Sequence, residues 1–218
     1  GISHQEYEGV WKSSGKHPQK FLYKPRPAFY HGDAAVIRGL DLQKQAIREI
    51  SEAIRSFRPV SVLELGAGNG INLLALAVLH PEIKTWVGID ITESGPEAAG
   101  QMHKNPPMEE LVYLTGLDPA EISQRLVHVM INMRIGDMRA LPFTDASFDL
   151  VFSHVAFEQL PYDHLAAFRE ARRVCRRHAC FIEEFREAQR SFLQRTHLRN
   201  VDYFRASHRT CEEAGFTL

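Results

Sequence analysis

The chain has 218 residues, of which 44% are hydrophobic and 24% charged, and its formal net charge is −1. These values are typical of one soluble globular domain, and the near-neutral charge provides no general attraction to nucleic acid or to an anionic membrane. No apolar run approaches the roughly 18 residues that a membrane span needs, and the N-terminal stretch lacks the apolar region of a secretory signal. Three cysteines without a CxxC pair indicate neither disulfides nor a zinc site, which favours a reducing cytoplasm.

The first 40 residues have no clear period. Aromatic residues there are interspersed with Lys, Pro and Gly, and we expect residues 1–40 to form an irregular N-terminal arm or lid against the domain. From Asp41 to Phe57 the apolar residues fall on one helical face, and Pro59 ends the run. A domain over residues 41–218 is therefore predicted to begin with this helix.

A strand, a glycine-rich turn, a helix and a second strand follow in sequence. Residues 60–65 are short, apolar and partly β-branched, residues 71–80 are apolar on nearly all sides, and residues 85–91 (TWVGIDI) form another apolar run. This order over about 30 residues is typical of a βαβ unit, which belongs to a parallel sheet.

The alternation is interrupted at residues 92–128 by several proline-containing breaks, and we expect this insert to cover a substrate. Within it, residues 105–108 (NPPM) are predicted to be a loop, and Asp118 and Pro119 to start a helix that runs to about His128. Further strands are then predicted at residues 129–135, 148–152 and 179–182, an amphipathic helix at 163–175, and helix up to Gly215. The predicted fold is an α/β three-layer sandwich, a Rossmann-like and mainly parallel sheet with helices on both faces.

Three glycines at alternate positions end the first predicted strand in VLELGAGNG, residues 62–70. Such a turn lets a ligand lie against bare backbone and offers it amide donors at the start of a helix. Dinucleotide-binding folds use G-x-G-x-x-G, whereas Gly70 here comes one residue early. Asp90, at the end of the second predicted strand, is placed to accept both hydroxyls of a ribose, which favours a nucleoside ligand without distinguishing between cofactors.

Two stretches carry a resemblance to a known family. The pattern E-x-G-x-G-x-G from Glu64 to Gly70 and the run IGDMRALPFTDASFDLVF at residues 135–152 closely resemble class I S-adenosylmethionine-dependent methyltransferases. The resemblance covers about residues 40–182 and implies S-adenosyl-L-methionine as cofactor and S-adenosyl-L-homocysteine as product. In that family the turn wraps the methionine part, the Asp of the G-D pair binds the adenine amino group, and the next backbone N–H meets a ring nitrogen. The cofactor-binding residues it implies are Glu64, Gly66, Ala67, Gly68, Asp90, Ile91, Asp137, Met138 and Ser153.

The chain departs from the family pattern in three places. The region between the second and third predicted strands is longer than the family minimum. Arg177-His178-Ala179 stands where a Pro-Gly-Gly type of turn is common. The chain ends at EEAGFTL, about where the sixth strand of the family starts, so we expect either a missing tail or a reduced C-terminal half of the sheet.

The methyl acceptor has no clear motif, but several polar residues follow the last predicted strands. His154 lies at the edge of the sheet where open α/β folds bind ligands, and it is either a general base or a packing residue. Glu183 and Glu184 end the fifth strand and are either ligands of a cationic amine acceptor or a solvated strand end. The histidines show no metal-ligand spacing, so no metal is predicted.

The expected function is transfer of a methyl group from S-adenosylmethionine to an O or N atom of a small molecule. Non-catalytic binding of S-adenosylmethionine by a partner or regulatory domain is one alternative. Methylation of RNA is another, because arginines and aromatic residues alternate over residues 186–209, although the net charge disfavours nucleic acid. An NAD-dependent oxidoreductase is disfavoured by the glycine spacing and by the LPFTDASFD stretch.

Overall fold

The computed structural model describes residues 24–30, 33–157, 160, 163–188 and 206–218. Within these residues, five parallel strands form one sheet in the order β5-β4-β3-β6-β7, and β1 and β2 form a separate antiparallel hairpin. The strands are β1 Arg26–Tyr30, β2 Asp33–Ile37, β3 Ser61–Leu65, β4 Thr85–Asp90, β5 Ile131–Ile135, β6 Phe148–His154 and β7 Cys175–Ile182. The helices are α1 Gly39–Phe57, α2 Ile71–Leu79, α3 Ser94–Lys104, α4 Met108–Thr115, α5 Pro119–Leu126, α6 His164–Val174 and α7 Arg209–Glu213, with a 3-10 turn at Arg186–Ala188.

Helices cover both faces of the sheet, which confirms the predicted α/β sandwich. Successive side chains of a strand point to opposite faces, and β3 shows the consequence. Its Val62 is buried in a core with α1, α2, α4 and α5, whereas Leu63 and Leu65 are buried in a second core with α6. Burial on both faces explains why the inner strands β3, β4 and β6 are largely continuous apolar runs rather than alternating ones.

The helix predicted from Asp41 is α1, which starts slightly earlier at Gly39 and ends at Phe57. Its apolar face, including Ile47, Ile50 and Ile54, is fully buried. The chain leaves the helix through Arg58 in a left-handed conformation, φ 48°, before the proline that the sequence marks as the stop.

The irregular arm predicted for residues 1–40 is wrong for residues 26–37, which form the β1–β2 hairpin. Arg26 is paired with Ile37 and Tyr30 with Asp33. Pro27 lies within β1. A proline is tolerated in a strand at the edge of a sheet, although in the sequence alone it argues against a strand. Residues 1–23, 31 and 32 lie outside the described part of the chain, so the lid remains a prediction.

The start of the last strand also differs from the prediction. β7 begins at Cys175, directly after α6, so Arg177-His178-Ala179 lies within the strand and is not a turn. Pairing with β6 extends back to Phe148 and Cys175, and the His178 ring stacks on Phe57 of α1 at 3.8 Å between centroids. Two charged residues in this strand are tolerated because it is at the edge of the described sheet.

The insert at residues 92–128 consists mainly of helices α3, α4 and α5. Leu111 and Leu114 of α4 and Ile122 of α5 are buried in the core with α1 and α2, so these two helices are part of the domain core, and the substrate-covering role of the insert stays a prediction. Asp118 is the predicted N-cap, since its carboxylate accepts the Ala120 N–H at 2.8 Å. The NPPM segment contains the break between α3 and α4, as predicted.

The C-terminal part of the chain is described only in pieces. Residues 209–213 are helical, in line with the prediction, whereas residues 189–205, which include most of the arginine-rich segment, lie outside the described part. Among the described helices, none has the length and apolar character that crossing a membrane requires.

Candidate functional site

The carboxyl ends of all five parallel strands meet at one edge of the sheet, where open α/β folds bind their ligands. The glycine turn lies at this edge between β3 and α2. Gly66, Gly68 and Gly70 have φ values of 67°, 52° and 77°, a region that glycine adopts without steric cost. A Cβ on Gly66 would lie 2.4 Å from the Cβ of Ala156. The first glycine is therefore required by its backbone conformation and by the loop that follows β6.

Glu64 is the one acid within β3, and it is buried. Its Oε1 accepts a hydrogen bond from Asn72 Nδ2 at 2.8 Å, and Asn72 Oδ1 accepts one from Gln43 at 2.9 Å. Its Oε2 is buried and has no hydrogen-bond partner within the described residues. Burial raises the pKa of Glu64 to about 8, with a contribution from the charge of Asp90 and against the effect of the Asn72 hydrogen bond. One carboxyl oxygen is thus bound within the protein, and the other is a buried acceptor without a partner among the described residues.

Asp90 ends β4 and fastens the glycine turn. Its Oδ2 accepts the Gly68 N–H at 2.8 Å, and its Oδ1 accepts the Thr92 N–H at 3.0 Å and the Thr92 hydroxyl at 2.6 Å. A carboxylate offers about four acceptor positions, so three contacts within the protein leave capacity for a ribose hydroxyl. Ile91, the next residue, exposes 39% of its surface, and Ala67 donates its N–H to the Ile89 carbonyl at 3.0 Å.

Asp137 follows β5 and is paired with a residue of its own loop. The Arg139 guanidinium contacts both carboxylate oxygens, the closest at 2.6 Å, and also reaches Asp163 at 2.9 Å. The hydrogen bonds from Arg139 lower the pKa of Asp137. The neighbouring Met138 lies close to the glycine turn, with its Cε 3.4 Å from the position of a Cβ on Gly66.

The LPFTDASFD stretch is largely structural. Asp149, its last residue, accepts the Val60 N–H at 3.0 Å and a hydrogen bond from Arg176 at 2.9 Å, which ties the start of β3 to β6. Arg173 of α6 donates to the carbonyls of Leu141 and Phe143 at 3.0 and 2.7 Å. The contacts of Arg173 fix the conformation of the loop between β5 and β6.

The ends of β6 and β7 carry the remaining candidates. Ser153 is fully buried and donates its hydroxyl to Glu183 at 2.6 Å. His154 is partly buried, and its ring has no hydrogen-bond partner within the described part of the chain. Burial lowers the pKa of His154 to about 4, so its imidazole is neutral at physiological pH.

The structure brings most of the sequence-predicted residues to this edge through direct contacts. Asp90 contacts Gly68, and both Met138 and the β6 loop lie against Gly66. Sequence reasoning missed Asn72, Thr92 and Arg139 as partners of the three acids. Thr92 has a local signal, because an Asp followed two residues later by Thr commonly forms a side-chain turn.

A cavity of about 690 Å³ lies against the outer side of the glycine turn. It is lined by Asn69 and Gly70, by the start of β4 and by α3 and β5. Its lining residues include none of the three acids and the histidine predicted to act, namely Glu64, Asp90, Asp137 and His154. The oriented polar groups at the sheet edge, and not this cavity, define the candidate site.

Residues 63–182 match the family model described as a methyltransferase domain. The chain belongs to this methyltransferase family. Its cofactor is accordingly S-adenosyl-L-methionine, and the chain fits it, because the Oε2 of Glu64, two residues before Gly66, is a buried acceptor without a partner among the described residues. A search among curated proteins finds no match to the sequence.

Several solved structures share the fold. The [4+2]-cyclase SpnF is 14% identical and aligns over 97% of this chain and 70% of its own, with a TM-score of 0.64. A putative sarcosine dimethylglycine methyltransferase from Galdieria sulphuraria is 16% identical over 97% and 72%, with a TM-score of 0.58. The YcgJ protein of Bacillus subtilis is 19% identical over 78% and 65%, with a TM-score of 0.54. At these identities the similarity shows the fold alone, and this chain spans less than two thirds of the length of YcgJ.

Proposed function

We propose that the protein transfers the methyl group of S-adenosyl-L-methionine to a nitrogen or oxygen atom of a small molecule. The observation that carries the proposal is the buried Glu64 carboxylate with one oxygen open beside the glycine turn. A buried acid favours a ligand that brings positive charge, as the amino group and sulfonium of this cofactor do. It disfavours the pyrophosphate of a dinucleotide, which the early third glycine also disfavours.

In this proposal, the residues around the turn contact different parts of the cofactor. Gly66, Ala67 and Gly68 lie against its methionine part, and the remaining acceptor capacity of Asp90 serves the ribose. The exposed Ile91 and the nearby Met138 contact the adenine. The adenine amino group donates a hydrogen bond to Asp137, whose carboxylate is also paired with Arg139. Ser153 contributes through the loop after β6. The bound cofactor supplies an electrophilic methyl group on a sulfonium.

His154 is the proposed base of the reaction. Its lowered pKa leaves the imidazole free to accept a proton but makes it a weak base. Base catalysis follows basicity, so a weak base serves an acceptor that is already nucleophilic when neutral. A neutral amine has a free lone pair, whereas an aliphatic hydroxyl needs a stronger base. The low basicity of His154 therefore favours nitrogen among the possible acceptors.

Calorimetric titration with S-adenosylhomocysteine, beside NAD as a control, tests the cofactor assignment. We expect micromolar binding of the former and none of the latter. Binding of NAD, or of neither compound, contradicts the proposal. Transfer of a labelled methyl group to a panel of amines, and then of hydroxylated metabolites, tests the reaction.

A non-catalytic role in binding S-adenosylmethionine is the second candidate. It is supported by the absence of any polar partner for His154 in the described residues, since general bases are usually oriented by a further group. The same experiments distinguish the two candidate functions. Binding of S-adenosylhomocysteine without methyl transfer to any class of acceptor favours the second.

A further inference from the structure

A carboxylate from β7 holds the loop that connects β6 to the segment before α6. Glu183, immediately after β7, accepts the Ser153 hydroxyl at 2.6 Å and the Ala156 N–H at 3.1 Å on Oε1. Its Oε2 accepts the Phe157 N–H at 3.2 Å. One side chain thus satisfies three donors of a five-residue segment, Ser153–Phe157, that is 26 to 30 residues away in sequence.

The segment that Glu183 holds contains a strained residue. Val155 has φ 53°, a left-handed conformation that is strained for a β-branched residue. Such a conformation persists only where its surroundings impose it. Here the Val155 N–H is donated to the Ile182 carbonyl at 2.9 Å, and Glu183 fixes the residues on either side.

The same segment packs against the glycine turn. The Ala156 Cβ occupies the space that a side chain at Gly66 would need, 2.4 Å from such a Cβ. On its other side, Phe157 is fully buried and its ring stacks on Phe168 of α6, 4.1 Å between centroids. The segment is therefore a wall between the α6 core and the cofactor turn, and it also carries His154.

We propose that Glu183 is a positioning residue that holds the Ser153–Phe157 segment against Gly66 and so shapes the cofactor site. This inference rests on the proposed function, because the wall matters only if the turn binds the cofactor. It also changes the role expected for this carboxylate: Glu183 serves the loop and not a cationic acceptor.

The chain offers a matched control for this carboxylate. Glu187 accepts the Ser207 hydroxyl at 2.6 Å and the His208 N–H at 3.2 Å, the same kinds of donors that Glu183 accepts. Those partners lie beside α7 and not beside the glycine turn. Replacement of either glutamate by glutamine removes one of its two acceptor oxygens, but only the Glu183 site borders the turn.

Glu183→Gln is expected to weaken S-adenosylhomocysteine binding about tenfold, because an amide accepts hydrogen bonds on one oxygen only and at least one of the three donors loses its acceptor. Glu187→Gln is expected to leave the affinity unchanged. In addition, Val155→Gly in the Glu183→Gln background is expected to restore part of the affinity, because glycine adopts the left-handed conformation without strain. A purely structural role for Glu183 predicts no such rescue.

Hydrogen exchange of the free protein separates the clamp from the proposed function. Glu183→Gln should accelerate exchange of the Ala156 and Phe157 amides whether or not the cofactor binds, and Glu187→Gln should not. Unchanged exchange in Glu183→Gln overturns the clamp. Faster exchange with undiminished affinity, or with no rescue by Val155→Gly, overturns the positioning role, and a parent protein that binds no S-adenosylhomocysteine overturns the proposed function itself.

Discussion

The acids in the two halves of the sheet edge differ in their hydrogen-bond partners. At the end of β4, Asp90 accepts the N–H of Gly68 in the glycine turn. In β3, the Oε2 of Glu64 has no hydrogen-bond partner among the described residues. At the ends of β6 and β7, the acid is consumed within the protein, with Glu183 bound to three donors of the neighbouring loop. His154, between them, has no polar partner among the described residues.

This difference supports the division of roles that we propose between cofactor binding and chemistry. Unused acceptors at β3 and β4 are available to a ligand with several donors, which suits a cofactor held in one fixed pose. In the proposed reaction, the β6 and β7 side supplies a closely packed wall and one weak base, which suits alignment of an acceptor more than its activation. The following predictions test that division, from the largest expected effect to the smallest.

Gly66→Ala should have the largest effect on the cofactor half. The substitution adds left-handed strain of about 1–3 kcal/mol and overpacking against Ala156 of about 1–3 kcal/mol, so S-adenosylhomocysteine binding should fall about 30-fold or more. Gly100→Ala is the control, since its added Cβ has no neighbour within 4 Å and helix α3 should gain about 0.5–1 kcal/mol. Calorimetry and thermal melting of both variants measure these effects, and equal affinities contradict the close packing at Gly66.

His154→Gln should affect turnover without affecting cofactor affinity. General bases contribute about 10²–10⁴-fold in rate, and because His154 is a weak base its loss should cost less, roughly tenfold. Because the pKa of His154 is lowered to about 4, the neutral form persists as pH falls from 8 to 5. With an acceptor that does not itself titrate in this range, the activity of the parent should therefore decline only as the pH approaches 4. Steady-state rates across this range measure it once an acceptor is known, and an unchanged rate in the variant removes His154 from the mechanism.

Asp90→Ala and Asp137→Ala should each weaken S-adenosylmethionine binding by about 1–3 kcal/mol, the cost of a lost buried hydrogen-bonding group. They should differ in stability. Asp90 anchors Gly68 and Thr92, so its loss should also lower the melting temperature, whereas Asp137 is paired with the partly exposed Arg139. Affinities equal to that of the parent in both variants show that the site is assigned to the wrong residues.

Glu64→Gln should change the protons exchanged on binding. The pKa of Glu64 in the free protein is about 8, so the carboxyl is largely protonated at pH 6.5. A cationic group placed beside it favours the ionised form, and binding of S-adenosylhomocysteine should release a proton from it. Binding enthalpies in two buffers of different ionisation enthalpy report this release. An equal release by Glu64→Gln excludes Glu64 as its source.

The sequence predicted the sheet more closely than the elements beside it. The sequence predicts strands β3 to β6 within two residues of their observed ends. The inner strands β3, β4 and β6 are buried, continuous apolar runs with clear breaks. The β1–β2 hairpin was missed, since its evidence is the pairing of Arg26 with Ile37 and not a local pattern. The start of β7 was missed for the same reason: Arg177 and His178 look like a turn until β6 provides the neighbouring backbone.

For the site, the residue types at the strand ends were readable from the sequence, and their partners were not. The glycine spacing, Glu64, Asp90 and the stretch from residues 135 to 152 determine the family, because turn chemistry and short motifs are local properties. Only the tertiary structure decided which partners these acids have. Arg139 is paired with Asp137, one oxygen of Glu64 has no partner among the described residues, and Glu183 accepts the Ser153 hydroxyl. Hydrogen bonds of buried groups must be satisfied by whatever the fold brings near, and no sequence period records that choice.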